Sequence, residues 1–124
     1  MGEPGLKGLP RLIAAFQNSI AGMKVCWRNE EAFRQETWVF IIAFPVALWL
    51  GDNGVERSLL IGSVGVIPIF ESLNSAVEAV VDRIGPERHE LSGYAKDIAS
   101  ASVLLAIFLA LIVWGLILLD KFQG

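Results

Sequence analysis

Long uncharged stretches of membrane-spanning length dominate the hydropathy pattern of this chain, and one polar stripe interrupts them. The clearest is 98–119, IASASVLLAIFLALIVWGLILL, which has no charge over 22 residues. That is roughly 33 Å of helix, enough to cross a bilayer core. An earlier stretch, 33–50, carries Trp38 and Trp49 toward its two ends as interface anchors. Its wholly uncharged part is short, so Arg34 and Glu36 are expected near the headgroups, with Arg34 snorkelling. GDNG at 51–54 has the composition of a turn. A third stretch then spans 57–83, and Gly85-Pro86 stops it. Ahead of all three, Leu9, Ile13, Phe16, Ile20, Met23 and Trp27 recur at four- and three-residue steps. They form one face of a helix over about 10–28, with Pro10 suited to its first turn and Lys7, Arg11 and Asn18 roughly opposite. A basic amphipathic segment beside a span predicts a helix lying in the membrane interface. The expected fold is therefore all-α and integral to the membrane: a surface helix at 10–28 and three transmembrane helices at 33–50, 57–83 and 98–119, forming a single membrane domain over 1–124.

Composition agrees. The chain is 54% hydrophobic over 124 residues, and its apolar residues lie in blocks rather than at the spacing of a soluble core. Cys26 is the only cysteine, which excludes an internal disulfide; it reads as a small apolar residue. The start MGEPGL lacks the Ser or Thr of a myristoylation signal, and no cleavable signal peptide is evident. The net charge of −3 says nothing useful about nucleic acid, and no nucleic-acid partner is expected. Its distribution says more. Lys7, Arg11, Lys24, Arg28, Arg34, Arg83, Arg88 and Lys96 fall on one side of the expected spans, and only Arg57 and Lys121 on the other. The bias predicts that the N-terminus and the 84–97 loop are cytoplasmic and the C-terminus outside.

The stripe lies at 71–85, ESLNSAVEAVVDRIG. Glu71, Asn74, Ser75, Glu78 and Asp82 fall within an arc of roughly 100° on a helix, while Leu73, Val77, Val80, Val81 and Ile84 make the opposite face apolar. A carboxylate in hydrocarbon costs about 3 kcal/mol on insertion scales, so this arc must face protein, water or a ligand. Three spans leave little room to bury it, which predicts an oligomer whose subunits share the site. With Arg83 at the interface, Glu78 lies about 8 Å below it and Glu71 about 18 Å. The shallower group would then meet a reactant from the cytoplasm and the deeper one a reactant dissolved in the bilayer. Pro68, one turn before Glu71, leaves the Val64 carbonyl without its helical partner.

The cytoplasmic edge also collects Glu30, Glu31, Arg34 and Glu36 in RNEEAFRQE, and Glu87, His89, Lys96 and Asp97 in PERHELSGYAKD. Oxygen ligands of this kind suit Mg²⁺ held between carboxylates and phosphates, and Lys and Arg suit the phosphates. A site combining these with a deep base would perform phosphoryl transfer. Taken alone, the charges read equally well as a solvated membrane edge. The phosphate loops and DFG motif of soluble kinases are absent.

NEEAFRQE at 29–36, ESLNSAVEAVVDRIG at 71–85 and HELSGYAKDIASASV at 89–103 closely resemble the prokaryotic diacylglycerol kinase family, in order and spacing, from about Arg11 to Phe122. The resemblance implies a homotrimer of the bacterial inner membrane, with sites shared between subunits, that uses MgATP to phosphorylate diacylglycerol to phosphatidic acid. On the matching positions it implies Glu71 as general base and Glu30 and Glu78 as metal carboxylates, with Asn74 and Asp82 in support. Arg11, Glu30, Asn74, Glu78, Glu87, Arg88, His89, Lys96 and Asp97 are the implied ATP-binding residues. Arg11, Arg34, Glu71 and Ser100 are those implied for the lipid. The chain departs from the family at Asn18 and Arg88, where aromatics are common, and in having Pro45 and Pro68. Two alternatives stay open at this point: a kinase of undecaprenol within the same family, and a small oligomeric ion channel or proton-coupled transporter. Against the channel, 58–70 offers no charge to carry an ion onward.

Overall fold

A computed structural model describes residues 5–87 and 89–123. Among them the chain is all-helical: α1 (Gly8–Asn29), α2 (Glu31–Leu50), α3 (Gly54–Ile84) and α4 (Glu90–Gln123). It divides into two compact units, 1–31 and 32–124. The first holds α1, whose only buried residue is Cys26, as its apolar reading anticipates. The Leu9, Phe16 and Met23 stripe of α1 is exposed.

In the second unit, α3 and α4 are each long and apolar enough to cross a membrane. They start earlier than hydropathy predicts because polar side chains cap them. The Asn53 side chain accepts a hydrogen bond from the Glu56 N–H at 2.9 Å, and Glu56 in turn accepts one from the Asp52 N–H at 2.9 Å. This reciprocal capping begins α3 at Gly54 rather than near 57. At α4, the Leu91 N–H donates to His89 Nδ1 at 3.1 Å, and the Tyr94 hydroxyl donates to Glu90 one turn along. The polar segment 90–97 is thereby added to the apolar helix. Hydropathy sees only the part that contacts lipid, whereas caps govern where a helix can begin.

The core is the seam between α3 and α4. Val64 and Ile67 pack on Val103, Ala106 and Ala110, small side chains that let α4 approach α3 closely. α2 joins through Phe40 and Ala43, and further along through Ala47 and Leu50 against Leu60. Its approach is close at Gly65, where an added Cβ would stand 3.1 Å from the Phe40 ring. α2 and α3 are thus antiparallel, with Phe40 beside Gly65 and Ala47 beside Leu60.

Both helices run through their prolines, Pro45 and Pro68. In the first part of α3, the Trp114 indole N–H reaches across from α4 to the Leu60 carbonyl at 3.0 Å, and Ser63 Oγ donates to that oxygen at 3.2 Å. Further toward the same end of the unit, Lys121 pairs with Asp52 at 2.7 Å and ties α4 to the α2–α3 turn. Trp114→Phe keeps the ring and removes the donor. It is expected to lower stability by about 1 kcal/mol, measured as an earlier unfolding midpoint in denaturing detergent. An unchanged midpoint would show that the bond adds nothing.

Candidate active site

The polar stripe on α3 is internally bonded. Asn74 Nδ2 donates to Glu71 Oε2 at 3.2 Å and to Glu78 Oε1 at 3.0 Å. The spacing of three and four residues puts all three side chains on one helix face, and a single amide holds both carboxylates. Glu71 is 7% exposed and Asn74 8%. The premise that three spans cannot bury such groups therefore does not hold for these two, because one chain already encloses them. Asp82, further along the stripe, is exposed.

A second helix completes the enclosure. Glu36 of α2 stands beside Glu71, close enough for the two carboxyl groups to act on each other. Its Oε2 is buried, as are Asn74 Oδ1 and Ser75 Oγ, and none of the three atoms has a hydrogen-bond partner among the described residues. Glu36 also lines an apolar cavity of about 420 Å³, with Val39, Val64, Ile67, Ile107 and Trp114 among its walls. Sequence reasoning put Glu36 near the headgroups, among the carboxylates of the cytoplasmic edge. The antiparallel register of α2 on α3 turns it toward Glu71. The available signal was its spacing: Glu36, Phe40 and Ala43 lie at helical steps on one face of α2.

The same register sets Glu71 beside the first turns of α2. Glu71 faces Glu36, which is five residues into α2, about 8 Å along that helix. Measured from Arg83 it would be about 18 Å. The last turns of α3 therefore extend past the start of α2. They meet α4 before its uncharged run begins: Lys96 Nζ lies 2.8 Å from Asp82 Oδ1, two residues ahead of Ile98.

The other predicted residues divide clearly. Lys96 and Asp82 come together, whereas Asp97 and Ser100 on α4 are exposed. His89 serves as the cap of α4, a structural role, and Glu87 is exposed in the turn before it. Arg88 lies outside the described residues. Arg34 is half-buried on α2. Arg11, exposed on α1, and Glu30, the half-buried residue between α1 and α2, belong to the 1–31 unit.

No group of three or more His, Cys, Asp or Glu side chains forms a metal cluster among the described residues. Mg²⁺ does not require one, since one or two carboxylates with phosphate oxygens and water suffice. Glu78 with the unpartnered Asn74 Oδ1 beside it fits that requirement.

The fold and site define a class in outline: small all-helical proteins with helices long and apolar enough to span a membrane and a carboxylate face on one of them. Comparison with known proteins narrows it. The family described as prokaryotic diacylglycerol kinase matches residues 17–118. A diacylglycerol kinase of Escherichia coli K12 is 50% identical over 115 residues, 93% of this chain and 94% of that protein. One from Haemophilus influenzae is 50% identical over 111 residues, 90% and 94% of the two chains. One from Helicobacter pylori 26695 is 36% identical over 116 residues, 94% and 91%. The chain belongs to the prokaryotic diacylglycerol kinase family.

Proposed function

We infer that this protein is a diacylglycerol kinase, transferring the γ-phosphate of MgATP to the hydroxyl of diacylglycerol to give phosphatidic acid. The observation that carries the mechanism is the pairing of a buried and a half-buried carboxylate through one amide, seven residues apart on α3. About 10 Å of helix separates Glu71 from Glu78. Glu71 adjoins Glu36 at the cavity and takes the proton of the lipid hydroxyl as that oxygen attacks phosphorus. Glu78, toward the Asp82–Lys96 end, holds Mg²⁺, with Glu30 as the second carboxylate that the resemblance implies. Bound Mg²⁺ neutralises phosphate charge and polarises the γ-phosphoryl group. Asn74 aligns the two glutamates. Lys96, kept in place by Asp82, is suited to ATP phosphate. Arg11, Glu87, Arg88, His89 and Asp97 for the nucleotide, and Arg11, Arg34 and Ser100 for the lipid, rest on the family resemblance.

The setting is a bacterial inner membrane, with the 84–97 loop and N-terminus cytoplasmic, α2 as a third span and α1 in the interface. The excess of basic residues on one side supports this topology. The assembly is a homotrimer, on the family resemblance.

Side-by-side assays of phosphate transfer to diacylglycerol and to undecaprenol in mixed micelles test the acceptor. Diacylglycerol is expected to be the faster by about tenfold or more, since a site shaped to one acceptor discriminates by differential transition-state binding. Preference for undecaprenol would reassign the acceptor. Ion flux in liposomes with no ATP consumption would overturn the kinase reading altogether.

A further inference from the structure

We propose that the Ser75 hydroxyl donates a hydrogen bond to the phosphoryl group as it passes from ATP to the lipid, which makes Ser75 a catalytic residue. The inference rests on the phosphotransferase reading above and gives a role to a polar position of the stripe that the reading leaves unused. Four serines stand on α3. Ser58, Ser63 and Ser72 each donate to a carbonyl three or four residues back, the ordinary outlet for a helical hydroxyl. Ser75 does not: its Oγ is buried and has no hydrogen-bond partner among the described residues. Its proton is therefore uncommitted in a place where most hydroxyls are paired.

Position decides what that proton can meet. Along the axis of α3, Ser75 stands about 6 Å from Glu71 and about 4.5 Å from Glu78, between the base and the metal carboxylate. Asn74 lies one residue earlier and about 100° round the helix, so the two flank the line from Glu71 to Glu78. Asn74 Nδ2 spends its two hydrogens on Glu71 Oε2 and Glu78 Oε1, and ionised carboxylates only accept. Lys96 pairs with Asp82, four residues beyond Glu78. Of the stripe's side chains, Ser75 thus holds the uncommitted donor between the two glutamates. During transfer the lipid hydroxyl oxygen bonds to the γ-phosphorus, and its proton goes to Glu71. The bond from that phosphorus to the oxygen bridging it to the β-phosphate breaks, and the electron pair leaves with ADP. Charge is then spread over the three non-bridging oxygens of the phosphoryl group. Ser75 donates to one of them and keeps its own proton throughout. A donor fixed in a desolvated place favours the group in transit over the bound reactants.

The test compares the unmodified protein with Ser75→Ala, Ser75→Cys and Glu71→Gln in mixed micelles. Cysteine fills the volume of the hydroxyl but is a weak donor. Both Ser75 variants are expected to lose about ten- to hundredfold in kcat, with KM for MgATP and for diacylglycerol and the Mg²⁺ dependence within about threefold of normal. Binding without turnover reads the same contact. Affinity for ADP with Mg²⁺ and aluminium fluoride, a flat mimic of the phosphoryl group in transit, should fall about tenfold or more in Ser75→Ala, while affinity for MgADP is unchanged. The unfolding midpoint of ligand-free Ser75→Ala should equal or exceed that of the unmodified protein, since the group removed is a buried hydroxyl with no partner. A normal kcat in Ser75→Ala overturns the proposal, as does a rate loss matched by a lower midpoint. So does a normal rate in Ser75→Cys, which would mark a packing role. A raised KM for diacylglycerol at normal kcat overturns it too, because the hydroxyl would then serve the lipid rather than the phosphoryl group. An active Glu71→Gln overturns the reading on which the proposal rests; failure at Ser75 with Glu71→Gln inactive leaves that reading standing.

Discussion

Replacing Glu71 with Gln is expected to reduce lipid phosphorylation by about 10²- to 10⁴-fold, the usual contribution of a positioned general base. The substitution is chosen to preserve the structure. A glutamine carbonyl still accepts from Asn74 Nδ2, which now lies 3.2 Å from Glu71 Oε2. What disappears is the basic lone pair, and with it the destination of the hydroxyl proton. MgATP binding should stay within about threefold of normal, because an interaction made only in the transition state lowers kcat without altering ground-state affinity. The measurement is initial rate in mixed micelles together with equilibrium nucleotide binding. A variant within tenfold of the normal rate would remove Glu71 from the chemistry.

Glu78→Gln should fail differently. Its carbonyl can keep the 3.0 Å bond from Asn74 Nδ2, so the α3 stripe stays aligned. The lost feature is the negative charge beside Asn74 Oδ1, the combination that suits a hard cation. The Mg²⁺ concentration required for half-maximal rate is expected to rise about ten- to hundredfold, and part of the rate should return at high Mg²⁺. A Mg²⁺ titration at fixed ATP reads this directly. An unchanged Mg²⁺ dependence would mean that the metal is held elsewhere. The two variants also distinguish the ends of the stripe: one loses rate at normal metal affinity, the other loses metal affinity first.

Much of this was legible in sequence because a membrane magnifies local signals. An uncharged run such as 98–119 needs no tertiary information to be read as a helix, since backbone polar groups in hydrocarbon must be satisfied within the segment. Glu71, Asn74 and Glu78 were legible for a related reason. Their spacing is local to α3, and intramembrane charge is costly enough to demand a function. The family words around them, extending through Lys96 and Asp97, identified the chemistry that spacing alone left open.

What escaped the sequence were contacts between helices. Nothing near Glu36 announces that it faces a residue 35 positions away. The register of α2 on α3 brings them together, through Phe40 against Gly65 and Ala47 against Leu60. The caps were similarly hidden. Asn53 and His89 are ordinary loop residues until folding places a backbone N–H within reach of each side chain.

The sequence by itself determined that this chain is helical, rich in membrane-spanning segments and equipped with a carboxylate face on one helix, because those properties depend on composition and on a period of 3.6 residues. Only the tertiary structure decided what stands opposite that face. Along α3, Glu71 is about 18 Å from Arg83; set against α2, it stands about 8 Å from that helix's start and beside a second glutamate, because helices of unequal length pack in a register that no single helix encodes.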